Sequence, residues 1–285
     1  TSGSSFTPAG WSNLAQTYVG LAATKNTSNT DTRMVGIRQD GGVDILYRLT
    51  DDGSYNIYPV PGITTVYSSI TADRVTGDRF YAGKPGGGVD VLYADGASIL
   101  VVSPSEWNQT YAALAATKPG GVTTDRVGAA GAAGVDTLYY GEQFGGYNTY
   151  DVPGWTTSYT SLTADQTLPD YYYAGKAGGG VDILYQDSSG VFPNIWNGTY
   201  SGLAADSFTY QTIAAIKPGG GADLLTVSGG VGVTTAQTAW SGTYTAITAS
   251  QVTGGTYYAV AVPEPSTYVL LLGGAAAAAL ARKKR

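Results

Sequence analysis

The chain is 285 residues long and has no cysteine and no histidine. That removes disulfide staples, Ser-His-Asp and Cys-His nucleophile arrangements, and ordinary zinc or copper sites. Acidic residues number 21 against 15 basic ones, and four of the latter are the last four residues. The remainder therefore carries a net charge of about −10, which argues against nucleic acid or an anionic membrane surface as partner. Forty-one glycines and 23 tyrosines, with few charged helix formers, point to short strands joined by tight turns.

The first segment, Ser5 to Gly10, matches the later segment Thr149 to Gly154 and is expected to be the fourth strand of a repeat. From Trp11 onward two units recur. A Tyr-x-x-(Leu/Ile)-x-Ala unit starts at Tyr18, Tyr67, Tyr111, Tyr159, Tyr200 and Tyr244. A Gly-(Val/Ala)-Asp-x-Leu unit carries Asp44, Asp90, Asp136, Asp182 and Asp223, which are 46, 46, 46 and 41 residues apart. Repeats accordingly lie near 11–60, 61–105, 106–152, 153–194, 195–238 and 239–261, inside an ectodomain of 1–261.

The second repeat shows four strand-like runs, Val66–Ala72, Arg79–Lys84, Val89–Tyr93 and Ser98–Val102. Between them lie the turn sequences Thr76-Gly-Asp78, Pro85-Gly-Gly-Gly88 and Asp95-Gly96. Four short antiparallel strands in about 45 residues is the size of a β-propeller blade. Coils of a β-solenoid are shorter, and an immunoglobulin-like array uses about 100 residues per unit. The expected fold is all-β, a β-propeller of six four-stranded blades. The sixth repeat stops after its second strand, so its blade is expected to close with one or two N-terminal strands, protecting both terminal edges. Trp107-Asn-Gln-Thr-Tyr and Trp196-Asn-Gly-Thr-Tyr resemble each other more than they do Pro61-Gly-Ile-Thr-Thr and Pro153-Gly-Trp-Thr-Thr, which suggests duplicated pairs of blades.

The last residues, 262–285, have a different character. Val262-Pro263-Glu264-Pro265 is followed by an apolar run within 266–281 and by Arg282, Lys283, Lys284 and Arg285. The prolines forbid further sheet pairing. The Leu- and Ala-rich run favours a transmembrane helix of roughly 24 Å, slightly short of a hydrocarbon core of about 30 Å, a gap that snorkelling cations make up. The terminal cations stay cytoplasmic by the positive-inside tendency, which leaves the ectodomain outside. In this order the three features resemble the PEP-CTERM sorting signal. The resemblance implies recognition and cutting by an exosortase, an inner-membrane anchor before processing, and delivery to the cell surface or extracellular matrix of a Gram-negative bacterium that makes exopolysaccharide. Such tails accompany an export signal; none is visible after Thr1, so the N-terminus is expected to have been trimmed or the sequence to be a fragment.

In an antiparallel meander, the links between blades and the turns between second and third strands share one ring face. Trp11, Trp107, Trp155, Trp196 and Trp240 of the links are thus expected beside Lys84, Lys176 and Lys217 of the Lys-x-Gly-Gly turns. Asp44, Asp90, Asp136, Asp182 and Asp223 begin the third strands near the same face. Aromatic platforms beside polar groups suit a sugar site. Each set also has an architectural reading. A tryptophan recurring once per blade packs between blades, an aspartate after a glycine turn bonds its own hairpin, and the Tyr-x-x-Leu-x-Ala units form core.

Two functions follow. One is a non-enzymatic surface or matrix protein whose ring binds polysaccharide or a matrix protein, several weak sites adding avidity. The other is a carbohydrate-active hydrolase or lyase, since a glycosidase needs only two carboxylates in suitable geometry. No catalytic residue, cofactor or metal ligand is assigned, and the near-equivalence of the repeats favours the first.

Overall fold

The computed structural model describes residues 17–25, 32–48, 55–96, 98–117, 126–141, 146–186 and 190–262, and every regular element among them is a β-strand. The second blade shows how the sequence sets the pattern. Its strands, Ser69–Ala72, Arg79–Gly83, Val89–Asp95 and Ser98–Val102, pair antiparallel in chain order. The middle strands are covered on both faces by neighbouring blades, so Phe80, Tyr81 and Ala82 are buried in succession. The fourth strand lies at the rim and is largely exposed. The Lys84-to-Gly88 turn needs two successive left-handed residues, Gly87 at φ 103° and Gly88 at φ 98°. A Cβ on Gly88 would lie 2.8 Å from Cε of Lys84, so only glycine lets that lysine fold back across the turn.

The same four-stranded order recurs in blades one, three, four and five, and a two-stranded sheet, Tyr244–Ala249 with Tyr257–Ala261, fills a sixth sector. The innermost strands of the five blades are Tyr18–Lys25, Ser69–Ala72, Tyr111–Thr117, Ser161–Ala164 and Gly202–Ala205. Each packs against the next around an axis, and Tyr244–Ala249 packs against both Gly202–Ala205 and Tyr18–Lys25. Apolar clusters lie between successive sheets all the way round, including one that joins Tyr18, Leu21 and Met34 to Ala246, Tyr258 and Val260.

The architecture is therefore a closed, all-β, propeller-like ring. Among the described residues five sheets have the four strands expected of a blade, and the sixth repeat contributes two strands before Pro263. The expected N-terminal strand at 5–10 lies outside the described residues, as does the apolar run 266–281. Among the described residues no helix is long and apolar enough to cross a membrane.

The joints between sheets alternate in chemistry. Thr71 of sheet two accepts the Ala116 amide of sheet three at 3.1 Å, and Thr163 of sheet four accepts that of Ala205 in sheet five at 3.0 Å. Thr248 of the sixth sheet accepts the Ala23 amide of blade one at 3.2 Å. Ion pairs hold two of the other joints: Arg33 with Asp78 at 2.8 Å, and Arg126 with Asp170 at 2.7 Å. At the remaining one, Ser207 donates to the Ser250 carbonyl at 2.6 Å.

Candidate functional site

The third strand of each four-stranded blade carries one of the repeated aspartates at its second or third residue, and the fold makes it the hub of a small polar unit. The tyrosine that opens the Tyr-x-x-(Leu/Ile)-x-Ala repeat donates its hydroxyl to one carboxylate oxygen. The distances are 2.7 Å for Tyr18 to Asp44, 2.9 Å for Tyr67 to Asp90, and 2.8 Å for Tyr111 to Asp136. They are 2.8 Å for Tyr159 to Asp182 and 3.1 Å for Tyr200 to Asp223. A cation six residues before the aspartate takes the other oxygen: Lys84 to Asp90 at 2.6 Å, Lys176 to Asp182 at 2.7 Å and Lys217 to Asp223 at 2.9 Å. In blade one Arg38 replaces the lysine and pairs with Asp44. The aspartates Asp44, Asp90, Asp182 and Asp223 are buried, whereas the lysine side chains keep 26%, 21% and 38% of their exposure in chain order.

These units raise the tyrosine pKa values. Burial is the largest cause and the adjacent aspartate adds to it, so the phenols of Tyr18, Tyr67, Tyr111 and Tyr159 stay protonated well above the usual range. Tyr200 is pushed up to about 12 by the same causes. In blades one, two, four and five the hydroxyl is thus fixed as a donor to a carboxylate that a cation already pairs.

Blade three breaks the pattern. Its hairpin is tighter, Gly131 pairing with Gly134, and no lysine stands in the turn. Asp136 instead lies directly across the ladder from Asp151 of the fourth strand. Its pKa is raised by burial and by the Asp151 charge, against the lowering effect of the Tyr111 hydrogen bond.

The expected co-location of links and lysine turns is realised. Val89 donates to the Trp107 carbonyl at 2.9 Å and Gly88 to that of Gln109 at 2.8 Å. The tryptophan rings, however, do not face solvent. Trp107, Trp155, Trp196 and Trp240 are 1%, 2%, 2% and 6% exposed. Each packs between sheets, Trp107 for instance against Tyr81 and Tyr147 with centroids 6.0 and 4.9 Å away, while its indole donates to Asn148 O at 2.8 Å. The stacking platform expected of these four is corrected accordingly: the link carries the ring inward, into the seam between blades. Trp11 lies outside the described residues.

The opposite ring face holds a second set that the repeat search passed over. Asp73, Asp165 and Asp206 follow the alanine that ends an inner strand, and each cups the next turn. Asp73 accepts the amides of Val75 and Thr76 at 2.7 and 2.6 Å, and the Tyr81 hydroxyl at 2.6 Å. Asp206 likewise accepts the Phe208 and Thr209 amides. An Ala-Asp pair after three of the six tyrosine units was the available signal.

The last described residue, Val262, donates to the Thr243 carbonyl at 2.8 Å, so the tail departs from the sixth sheet. Residues 261–285 match the PEP-CTERM protein-sorting motif. The chain carries a PEP-CTERM sorting signal. A PEP-CTERM signal marks an exported protein that an exosortase sorts and processes. No curated protein matches the chain. Among solved structures it is similar to PorZ, an essential bacterial surface component of the type-IX secretion system of Porphyromonas gingivalis. The identity is 14% and the TM-score 0.48 over 82% of this chain, which spans 31% of that protein's length.

Proposed function

We propose that this PEP-CTERM protein is a non-enzymatic binding and scaffold propeller of the bacterial surface or extracellular matrix, with polysaccharide or another matrix component as its ligand. The observation that carries the reading is the repeated Tyr–Asp–cation unit. Four of the five hub aspartates are buried and neutralised by a cation, which suits a rigid frame presenting several equivalent lysines rather than one reactive carboxylate. Lys84, Lys176 and Lys217 keep enough exposure to donate to sugar hydroxyls from one ring face. In this reading an N-terminal strand completes the sixth sheet. Residues 266–281 hold the protein in the inner membrane of a Gram-negative cell until processing. The full chain, kept in mild detergent, is expected to be retained on the exopolysaccharide of its producing cells. A natively folded chain that is retained on no polysaccharide and on no matrix fraction refutes the proposal.

A second reading, a carbohydrate-active hydrolase or lyase, is favoured by one observation, the Asp136–Asp151 pair. Two carboxylates face each other there without a cation in the turn, and the pKa of one is raised, as an acid partner requires. It predicts release of oligosaccharide from polysaccharide and loss of that release in Asp136→Asn. No release by the unaltered protein removes it.

A further inference from the structure

The innermost strands surround a channel on the ring axis. Leu21, Ile70, Leu114, Leu162, Leu203 and Ile247 line both of its ends, so their side chains narrow it midway. Beyond this collar, on the side of the Asp73, Asp165 and Asp206 turns, lies a cavity of about 90 Å³ lined by the ends of all six inner strands. Two features of its wall stand out. Arg74 lines it, and the guanidinium Nε and Nη1 of that residue are shut off from solvent with no hydrogen-bond partner among the described residues. The neighbouring Asp73 does not supply one, because its oxygens are taken by the Val75 and Thr76 amides, Arg79 and Tyr81. The second feature is threefold. Thr71, Thr163 and Thr248, on alternate sheets, line the same cavity. Each hydroxyl already accepts a backbone amide from the next sheet, so its own proton remains available to donate.

A buried cation without a partner among the described residues is costly. Burial lowers the Arg74 pKa to about 10, which still leaves the group charged near neutrality. An anion with several acceptor oxygens satisfies the guanidinium and the hydroxyls together. The surrounding ring is strongly acidic, so a long polyanion is repelled more than a small anion, and Arg74 is the charged residue in the lining of the cavity.

We propose that the Arg74 end of the channel is a binding site for one small oxyanion, of the sulfate, phosphate or carboxylate type, on the ring axis. The anion fastens the six inner strands at a point where side chains from alternate sheets meet the cavity. The site is distinct from the lysine face and does not depend on the polysaccharide reading.

The test uses the full chain in mild detergent. Binding is measured by calorimetry and by thermal shift with sodium sulfate, sodium phosphate and a glucuronate-terminated oligosaccharide, against sodium chloride at matched ionic strength. Because sulfate stabilises proteins generally, the informative quantity is the difference between the unaltered protein and Arg74→Gln. Saturable binding of one anion per chain is expected, weakened about tenfold or more in Arg74→Gln and less in Arg74→Lys. Thr163→Val, which keeps the charge, is expected to weaken it by a smaller factor. A response to inorganic anions alone assigns a free ion, and a response to the oligosaccharide alone assigns a sugar carboxylate. Equal thermal shifts in folded Arg74→Gln and unaltered protein for every anion overturn the proposal. So does the absence of saturable binding by the unaltered protein.

Discussion

Trp107→Ala separates a packing residue from a binding platform. The Trp107 ring is 1% exposed, lies in the cluster between blades two and three, and donates to Asn148 O at 2.8 Å. A buried tryptophan removes about 150–250 Å² from water, worth roughly 4–6 kcal/mol at about 25 cal/mol per Å². Partial collapse of the seam reduces that, while loss of the indole hydrogen bond adds about 1 kcal/mol. The expected destabilisation is about 3–5 kcal/mol, against less than about 1 kcal/mol for an exposed aromatic. For a ring of this size that lowers the melting temperature by roughly 6–20 °C. Urea unfolding followed by tryptophan fluorescence and by circular dichroism measures the change, and coincidence of the two curves tests whether one transition is being read. A Trp107→Ala protein that keeps its unfolding midpoint yet loses retention on glycan refutes the packing assignment.

Stability should fall in alkali. The phenols of Tyr67 and Tyr159 have folded-state pKa values raised above the ordinary value near 10, and that of Tyr200 is pushed up to about 12. Their contribution is complete below about pH 10 and is lost as pH rises through the folded values, because the unfolded state releases its protons first. Ultraviolet difference absorbance should therefore show tyrosines ionising together with unfolding rather than ahead of it. The two kinds of hub aspartate should respond oppositely to Asn. Asp182→Asn strips a charge paired with Lys176 and is expected to cost about 1–3 kcal/mol, discounted for the partial exposure of the lysine. Asp136→Asn relieves a part-buried carboxylate that faces Asp151 with no cation paired to it among the described residues, and is expected to be neutral or stabilising near pH 7 by denaturant titration. Among the glycines, Gly134→Ala places Cβ 1.9 Å from Trp155 O at φ +140° and should cost at least about 3 kcal/mol. Gly178→Ala meets nothing within 4 Å and should change thermal stability by less than about 0.5 kcal/mol.

The strands were largely legible because turn chemistry punctuates them. In the second repeat the expected Ser98–Val102 is the observed strand, and Arg79–Lys84 and Val89–Tyr93 differ from it only at their C-terminal ends. The first strand is shorter than Val66–Ala72 and starts at Ser69. Tyr67 is drawn instead toward Asp90 by a hydrogen bond that no local pattern encodes. The tryptophans were misplaced for a similar reason. A link tryptophan reads the same whether its ring turns in or out, and the partners that decide it, Tyr147 and Asn148 for Trp107, come from some forty residues further along. Arg74 escaped notice because its position varies between repeats: Lys25, Arg74, Lys118, Gln166, Ser207 and Gln251 stand there in turn. Self-comparison rewards sameness, whereas a site on an axis needs only one copy of its charge.

The threonine joints bear on how the ring withstands pull. Three of them fasten sheets two to three, four to five and six to one, and the last brings together the first and last described sheets. Tension drawn through the tail after Val262 enters the two-stranded sheet first and is handed to blade one. There the Thr248–Ala23 bond and the 2.6 Å bond from Gln251 to the Ala23 carbonyl lie side by side. Separating the two sheets there means breaking both bonds, so a pull on the C-terminus arrives at a seam that is already cross-bonded.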